Sequence, residues 1–192
     1  TPMAIDINDT RGLHAAALTR DSLRNMGKQT AGSTILLCGA SYRQDVADTL
    51  YSGSELVVRK LTEMGADMKV HDPYLDHWYE FASQDTYPAP GQSWARFFRN
   101  QQELVNLRVQ KDLPAAMKGM EALVLAVRHA PYLKLTPDEV IAWVGAPVAV
   151  IDCFGILSDE QIRRYFELGC EVKALGRGHI QRIKEEIRQQ KK

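Results

Sequence analysis

Two hydrophobic periods alternate along this chain. Thr34-Ile-Leu-Leu-Cys-Gly39 is a short, continuously apolar run closed by a glycine, the pattern of a strand buried on both faces of a parallel sheet. Ser52 and Ser54 can cap a helix in which Leu56, Val57, Leu61 and Met64 form one apolar stripe, and Gly65 is placed to end it. Asp67-Met-Lys-Val-His71 reads as the next strand, stopped by Asp72-Pro73. Gly32 to Tyr74 is therefore strand, long loop, helix, strand: one βαβ unit, expected to be right-handed. Ligands of such sheets bind beyond the carboxyl ends of the strands, here Gly39 and Asp72.

The alternation continues on both sides of this unit. Thr10 is predicted to cap a helix from about Arg11 to Met26, with Leu13, Ala16, Ala17, Leu23 and Met26 roughly on one face. This helix precedes the first strand and lies outside the βαβ core, so its apolar face needs a cover from this domain, another domain or another subunit. Asp76 to Asn100 breaks the pattern. It is rich in aromatics (Trp78, Tyr79, Phe81, Tyr87, Trp94, Phe97, Phe98) and interrupted by Pro88, Pro90 and Gly91, so it reads as an excursion pinned by its own rings or as a functional insertion. Leu107 to Val109 is a short strand candidate. Asp112 caps a short helix with Pro114 in its first turn. Ala122 to Val127 is a buried strand, and Thr136 caps a helix through about Val144. Pro147 to Ile151 is another strand, ending at Asp152. Ser158, with Gln161 at the capping-box position, starts a helix to about Leu168. Cys170 to Leu175 is the last strand, and His179 to Lys192 is helical, with Ile180, Ile183 and Ile187 in line. About six strands alternating with helices predict a three-layer α/β fold with a mostly parallel sheet.

Composition narrows the function classes. In 192 residues, 24 Lys and Arg balance 24 Asp and Glu, so the formal net charge is zero and there is no electrostatic case for nucleic acid as main partner. No apolar run reaches a membrane-spanning length, and Thr1 to Thr10 lacks the order of a signal peptide. Cys38, Cys153 and Cys170 sit in or beside strand-like runs and read as reduced, structural thiols of a cytoplasmic protein. His71 and His77 lack the neighbours of a metal site, and His129 follows a buried strand at the ligand-facing edge.

The first turn argues against a dinucleotide. The usual site needs G-x-G-x-x-G directly between strand and helix. Here Gly39-Ala-Ser-Tyr-Arg43 opens a much longer loop without the second and third glycines. That loop carries Tyr42, Arg43, Asp45 and Asp48. Arg43 can hold a phosphate by paired hydrogen bonds, and Tyr42 can stack on a base.

These residues carry a resemblance. Gly39-Ala-Ser-Tyr-Arg-Gln-Asp-Val-Ala-Asp-Thr-Leu-Tyr-Ser52, followed by Gly65-Ala66 and His71-Asp-Pro-Tyr74, resembles the C-terminal domain of the UDP-glucose/GDP-mannose dehydrogenase family, whose motif runs approximately G-x-x-[YF]-K-x-[DN]-x-x-D-x-R-x-S, then G-A and D-P-Y. Lys111-Asp112-Leu113 with Gly119-Met120, His129 with Tyr132, Ile151-Asp152 with Ile156-Leu157, and Gly176-Arg177-Gly178 resemble later family motifs in the same order. The resemblance covers most of Asp9 to Gly178 apart from the aromatic stretch. It implies a linking helix over 1–30, the end of a central dimerisation domain, and a Rossmann-like UDP-sugar-binding domain over 31–192 with an insertion at about 76–105. It implies substrate-binding roles for Tyr42, Arg43, Asp48, Asp152 and Arg177. For Asp48 and Asp152, loop structuring through backbone hydrogen bonds is an equal alternative. Five positions depart from the pattern. Arg43 stands where the family has lysine, Leu50 where it has arginine, and Gly53 where many members have proline; Cys153 and Phe154 replace a polar pair after Asp152.

The family oxidises the C6 hydroxyl of a nucleotide sugar to a carboxylate in two NAD-dependent steps. Its NAD site and its nucleophilic cysteine lie in N-terminal and central domains that this sequence does not resemble. The expectation is thus the nucleotide-sugar-binding part of a homodimeric UDP-sugar 6-dehydrogenase serving polysaccharide biosynthesis. NAD would be bound by a domain absent here, no catalytic residue would lie in this chain, and the isolated chain would be inactive. The alternatives are a non-catalytic Rossmann-like interaction module and a dimerisation surface formed by the first helix and the insertion.

Overall fold

A computed structural model describes residues 10–82, 98 and 101–190. The six strands are β1 (Thr34–Cys38), β2 (Asp67–His71), β3 (Val109–Gln110), β4 (Ala122–Leu125), β5 (Ala149–Asp152) and β6 (Glu171–Ala174). All neighbours pair in parallel, in the order β3-β2-β1-β4-β5-β6. This is the Rossmann order, with its switch point between β1 and β4. The expected three-layer α/β fold with a parallel sheet is present, although β4 stops at Leu125 and β3 begins two residues later than its apolar run.

The strands are apolar throughout because both faces are covered. Ile35, Leu37, Val70, Val124 and Ile151 face one core, and Leu36, Cys38, Leu123, Leu125, Val150 and Val172 face the other. The first core lies under α1 (Arg11–Asn25) and α2 (Gly53–Glu63). The second lies under α4 (Leu113–Met117), α5 (Ala130–Leu133), α6 (Pro137–Val144), α7 (Asp159–Glu167) and α8 (His179–Gln190). A short α3 (Tyr79–Ala82) follows β2.

Local chemistry sets these boundaries. Ser52, Asp112, Thr136 and Ser158 each accept a backbone N–H at a helix start, and Thr136 with Glu139 and Ser158 with Gln161 close full capping boxes. Thr10 makes no side-chain cap bond, so the expected cap there is absent. The domain itself covers the face of α1 that carries Ala16 and Leu23, while Leu13 of the expected apolar face is exposed. Small residues Gly12, Ala15, Ala16, Thr19 and Ser22 are buried and let the helix lie close on α2, β5 and β6. Trp78 and Phe81 are buried and meet edge-to-face, with centroids 4.6 Å apart. Most of the aromatic stretch, including Tyr87, Trp94 and Phe97, lies outside the described residues.

Gly39 is where the ends of β1 and β4 meet. Its φ is +100°, and a Cβ there would lie 2.6 Å from Val127 Cβ and 2.9 Å from its backbone nitrogen. Substituting Gly39→Ala adds both a left-handed strain and an overlap, a cost of about 2–4 kcal/mol. Urea unfolding of the variant should show a correspondingly lower midpoint at unchanged m-value; an unchanged midpoint would mean the two loops separate freely.

Candidate functional site

The Asp72 carboxylate organises the carboxyl ends of the strands. It is fully buried at the end of β2. One oxygen accepts from the N–H groups of Ala40 (2.9 Å) and Ser41 (3.2 Å), the Ser41 hydroxyl (3.0 Å) and His129 Nε2 (3.1 Å). The other accepts from the N–H groups of Tyr74 (2.8 Å) and Leu75 (3.2 Å). Burial pushes its carboxyl up, but His129 and the N–H groups of Tyr74 and Ala40 outweigh that and hold it well below the usual carboxylate range. His129 is itself fully buried, and its Nδ1 accepts from the Asp45 N–H at 3.0 Å. That bond places the ring proton on Nε2, facing Asp72.

Residues 39–52 form the long loop, and they are pinned from several sides. Asp45 sits at φ +55° and accepts from the Ala130 N–H (2.9 Å) and the Tyr74 hydroxyl (3.0 Å). Asp48 folds back on the loop: its carboxylate accepts from the Leu50 N–H (3.0 Å) and its carbonyl from the Tyr42 N–H (2.6 Å). Thr49 donates to Glu80 (2.7 Å), Ser52 to the Ser41 carbonyl (3.2 Å) and Ser54 to the Gly39 carbonyl (2.9 Å). The Tyr42 ring and the Arg43 side chain stand outside this network, both exposed.

Tyr42 and Arg43 border a cleft of about 390 Å³, within the range of small-molecule sites. Arg11 and Gly12 of α1 and Gly53 and Ser54 of α2 line it. Ala126 and Val127 after β4, and Cys153 and Phe154 after β5, complete it. The cleft thus opens at the switch point between β1 and β4. Among the described residues that line it, none carries a carboxylate, whereas Arg11 and Arg43 are cationic. Exposed rings of Tyr42, Tyr51 and Phe154 surround it.

The expected site residues divide. Tyr42 and Arg43 are brought together at the cleft. Asp48, Asp152 and Arg177 are not among the residues lining it. The buried Asp152 carboxylate accepts from the N–H groups of Phe154 (3.1 Å), Ile156 (3.0 Å) and Leu157 (3.0 Å) and shapes the turn after β5. Arg177 donates to the Leu157 carbonyl and to Asp159, and lies 3.6 Å from Asp152. Burial pushes the Cys153 thiol up to about 12, which disfavours its thiolate form. The cleft contributions of Arg11 and Phe154 were not read from the sequence, because the topology joins segments far apart in the chain.

A sequence model of the "UDP-glucose/GDP-mannose dehydrogenase family, UDP binding domain" matches residues 36–159, well over half of the chain. The chain belongs to the UDP-glucose/GDP-mannose dehydrogenase family. Its fold is similar to that of the NDP-N-acetyl-D-galactosaminuronic acid dehydrogenase from Methanosarcina mazei Go1, at 23% identity and a TM-score of 0.74, over 93% of this chain and 32% of that one. It is also similar to the UDP-D-ManNAc dehydrogenase from Pyrococcus horikoshii, at 18% identity and a TM-score of 0.68, over 92% and 33%. The UDP-N-acetyl-mannosamine dehydrogenase from Staphylococcus aureus gives 14% identity and a TM-score of 0.55, over 80% and 29%. The chain spans about a third of the length of these structures. No curated protein sequence matches it.

Enzymes of the UDP-glucose/GDP-mannose dehydrogenase family use NAD, and this domain does not fit that cofactor in the usual way. In a dinucleotide fold, an acidic residue in the position of Asp72 takes the ribose hydroxyl. Here that carboxylate is buried and already accepts from six donors. The described residues hold no group of three or more metal-ligating side chains, and none of their helices is long and apolar enough to cross a membrane.

The Asp72 cluster gives a test with a defined sign. An unfolded aspartate titrates near about 3.9 and folded Asp72 lies below that. Its contribution is therefore complete above about pH 4 and is lost as pH falls through the folded value. Asp72→Asn should cost about 3 kcal/mol at pH 7, and the gap to the parent chain should narrow as pH falls below 4. Urea midpoints at pH 7, 5 and 3 check this; a gap independent of pH would assign the loss to packing alone.

Proposed function

We propose that the cleft binds the nucleotide diphosphate of a UDP-sugar, with Arg43 on a phosphate and Tyr42 against the base. One observation carries the reading: within a loop otherwise tied down, the side chains left exposed at the cleft are the guanidinium of Arg43 and the aromatic rings of Tyr42 and Tyr51. A carboxylate-free cleft containing that guanidinium attracts a polyanion, although the chain as a whole has no net charge. Arginine gives a planar, paired contact to a phosphate in place of the family's lysine. Asp48, Asp152 and Arg177 then support the site by holding loops, not by touching ligand. Leu50 does not line the cleft, so the arginine missing at that position leaves these contacts intact.

On this reading the chain is the C-terminal nucleotide-sugar-binding domain, 31–192 with its linking helix, of an NAD-dependent UDP-sugar 6-dehydrogenase that makes a uronate. NAD and the catalytic cysteine belong to N-terminal and central domains, the assembly is a homodimer, and the location is cytoplasmic. The structures named above, each called a dehydrogenase of a nucleotide-linked sugar, support this assignment.

Calorimetric titration of the 192-residue chain with UDP and UDP-sugars should show saturable binding. Arg43→Ala should weaken it roughly tenfold or more, the value of a charge-assisted phosphate contact, without NAD reduction by either protein. Absence of UDP and UDP-sugar binding by the parent chain would overturn the proposal in favour of a non-catalytic interaction module.

A further inference from the structure

The cleft has a second cation, and it comes from an element outside the βαβ core. Arg11 is the first residue of α1. Its guanidinium lies 5.8 Å from the centroid of the Phe154 ring and, among the described residues, makes one long hydrogen bond, 3.4 Å, to the Cys153 carbonyl. Among the described residues it has no carboxylate partner. Arg164 and Arg177, also partly exposed, are by contrast each paired with aspartate. Stacking on Phe154 orients the guanidinium without neutralising it.

The position of Arg11 is fixed by its neighbour. A Cβ on Gly12 would lie 3.0 Å from the Gly53 carbonyl and 3.0 Å from Leu56 Cβ. The absence of a side chain there lets the start of α1 rest directly on the start of α2, so Arg11 lines the same cleft as Gly53 and Ser54. Arg43 reaches that cleft from the β1–α2 loop.

We infer that Arg11 is a second anion-binding residue, holding the ligand's diphosphate together with Arg43, so that α1 forms part of the nucleotide site. This rests on the reading of the cleft as a nucleotide-diphosphate site. A diphosphate carries charge on two adjacent groups, and two guanidinium ions from separate elements match it better than one. Phe154 is a positioning residue that keeps Arg11 in place.

The test is calorimetry of the full chain with UDP, UMP and uridine. Arg11 is exposed, so its substitution should leave the thermal midpoint unchanged. Arg11→Ala should weaken UDP roughly tenfold, Arg11→Glu should remove detectable UDP binding, and Arg11→Lys should recover part of the loss. Uridine binding should not change, and the salt dependence of UDP affinity should fall in Arg11→Ala. Phe154→Leu should weaken UDP less than Arg11→Ala does. UDP affinity unchanged within twofold in Arg11→Ala, while Arg43→Ala loses binding, would overturn the role of Arg11 and leave the cleft assignment standing. No UDP binding by the parent chain would overturn both.

Discussion

A single buried carboxylate sets the shape of the ligand-facing edge. Asp72 joins the segment after β1 through Ala40 and Ser41, the turn after β2 through Tyr74 and Leu75, and the segment after β4 through His129. Burying an ionised aspartate is unfavourable unless its lone pairs are used, and here the contacts from Ala40, Ser41 and His129 also tie the end of β2 to the segments after β1 and β4, while those from Tyr74 and Leu75 shape its own turn. The same contacts occupy the carboxylate that a dinucleotide fold keeps for its cofactor. A carboxylate filled by backbone N–H groups is no longer free for a ribose hydroxyl, so the Rossmann order persists while the usual dinucleotide contacts do not.

The cleft follows from that constraint. Gly39 lets the ends of β1 and β4 approach, and His129 carries the tie onward to Asp45, which in turn accepts from Ala130 and Tyr74. Along the chain from Asp45, Asp48 and Thr49 close the loop on itself and on Glu80. The loop therefore meets the cleft as a held edge, with Tyr42 and Arg43 projecting from it. Tyr51, at φ +60°, is a non-glycine residue in a strained conformation beside the same cleft, and such strain persists only where surrounding contacts impose it.

Much of the fold was legible because its causes are local. Ser52, Asp112, Thr136 and Ser158 announce helix starts within a few residues of sequence, and the short apolar runs at Ile35 and Ala122, alternating with capped helices, suit strands of a covered parallel sheet. The lining of the candidate cleft was legible only in part. Tyr42 and Arg43 stand in a motif, but their exposure depends on what the rest of the loop bonds to. Asp72 and His129 are 57 residues apart, and Arg11 meets the Cys153 carbonyl across 142 residues; no period or cap signals such pairs. Asp48 and Asp152 show the converse. Acidic residues at loop positions satisfy nearby N–H groups as readily as they contact ligands, and sequence alone does not separate the two uses.

The far end of the loop is anchored by a second buried polar group, which the hydrophobic pattern gave no reason to expect. Arg59, on the otherwise apolar face of α2, is almost wholly buried and pairs with Glu55 at 2.7 Å. Its guanidinium also donates to Gln101 and to the Glu80 carbonyl, and lies 4.7 Å from the Phe81 ring centroid. An isolated buried arginine would be unfavourable by several kcal/mol; paired, bonded and stacked, it fastens the segment after β2 to α2. Burial and the nearby charges of Glu55 and Asp48 push the Glu80 carboxyl up, although the Thr49 hydroxyl opposes this. Glu80 thus links this second anchor to Thr49 in the loop. With Asp72 at one end and the Arg59 cluster at the other, the loop is held where it leaves the sheet and where it returns to the helix. That double anchorage explains how an extended connection, without the close glycine turn of a dinucleotide fold, can still hold the backbone that carries Tyr42 and Arg43 at the edge of the cleft.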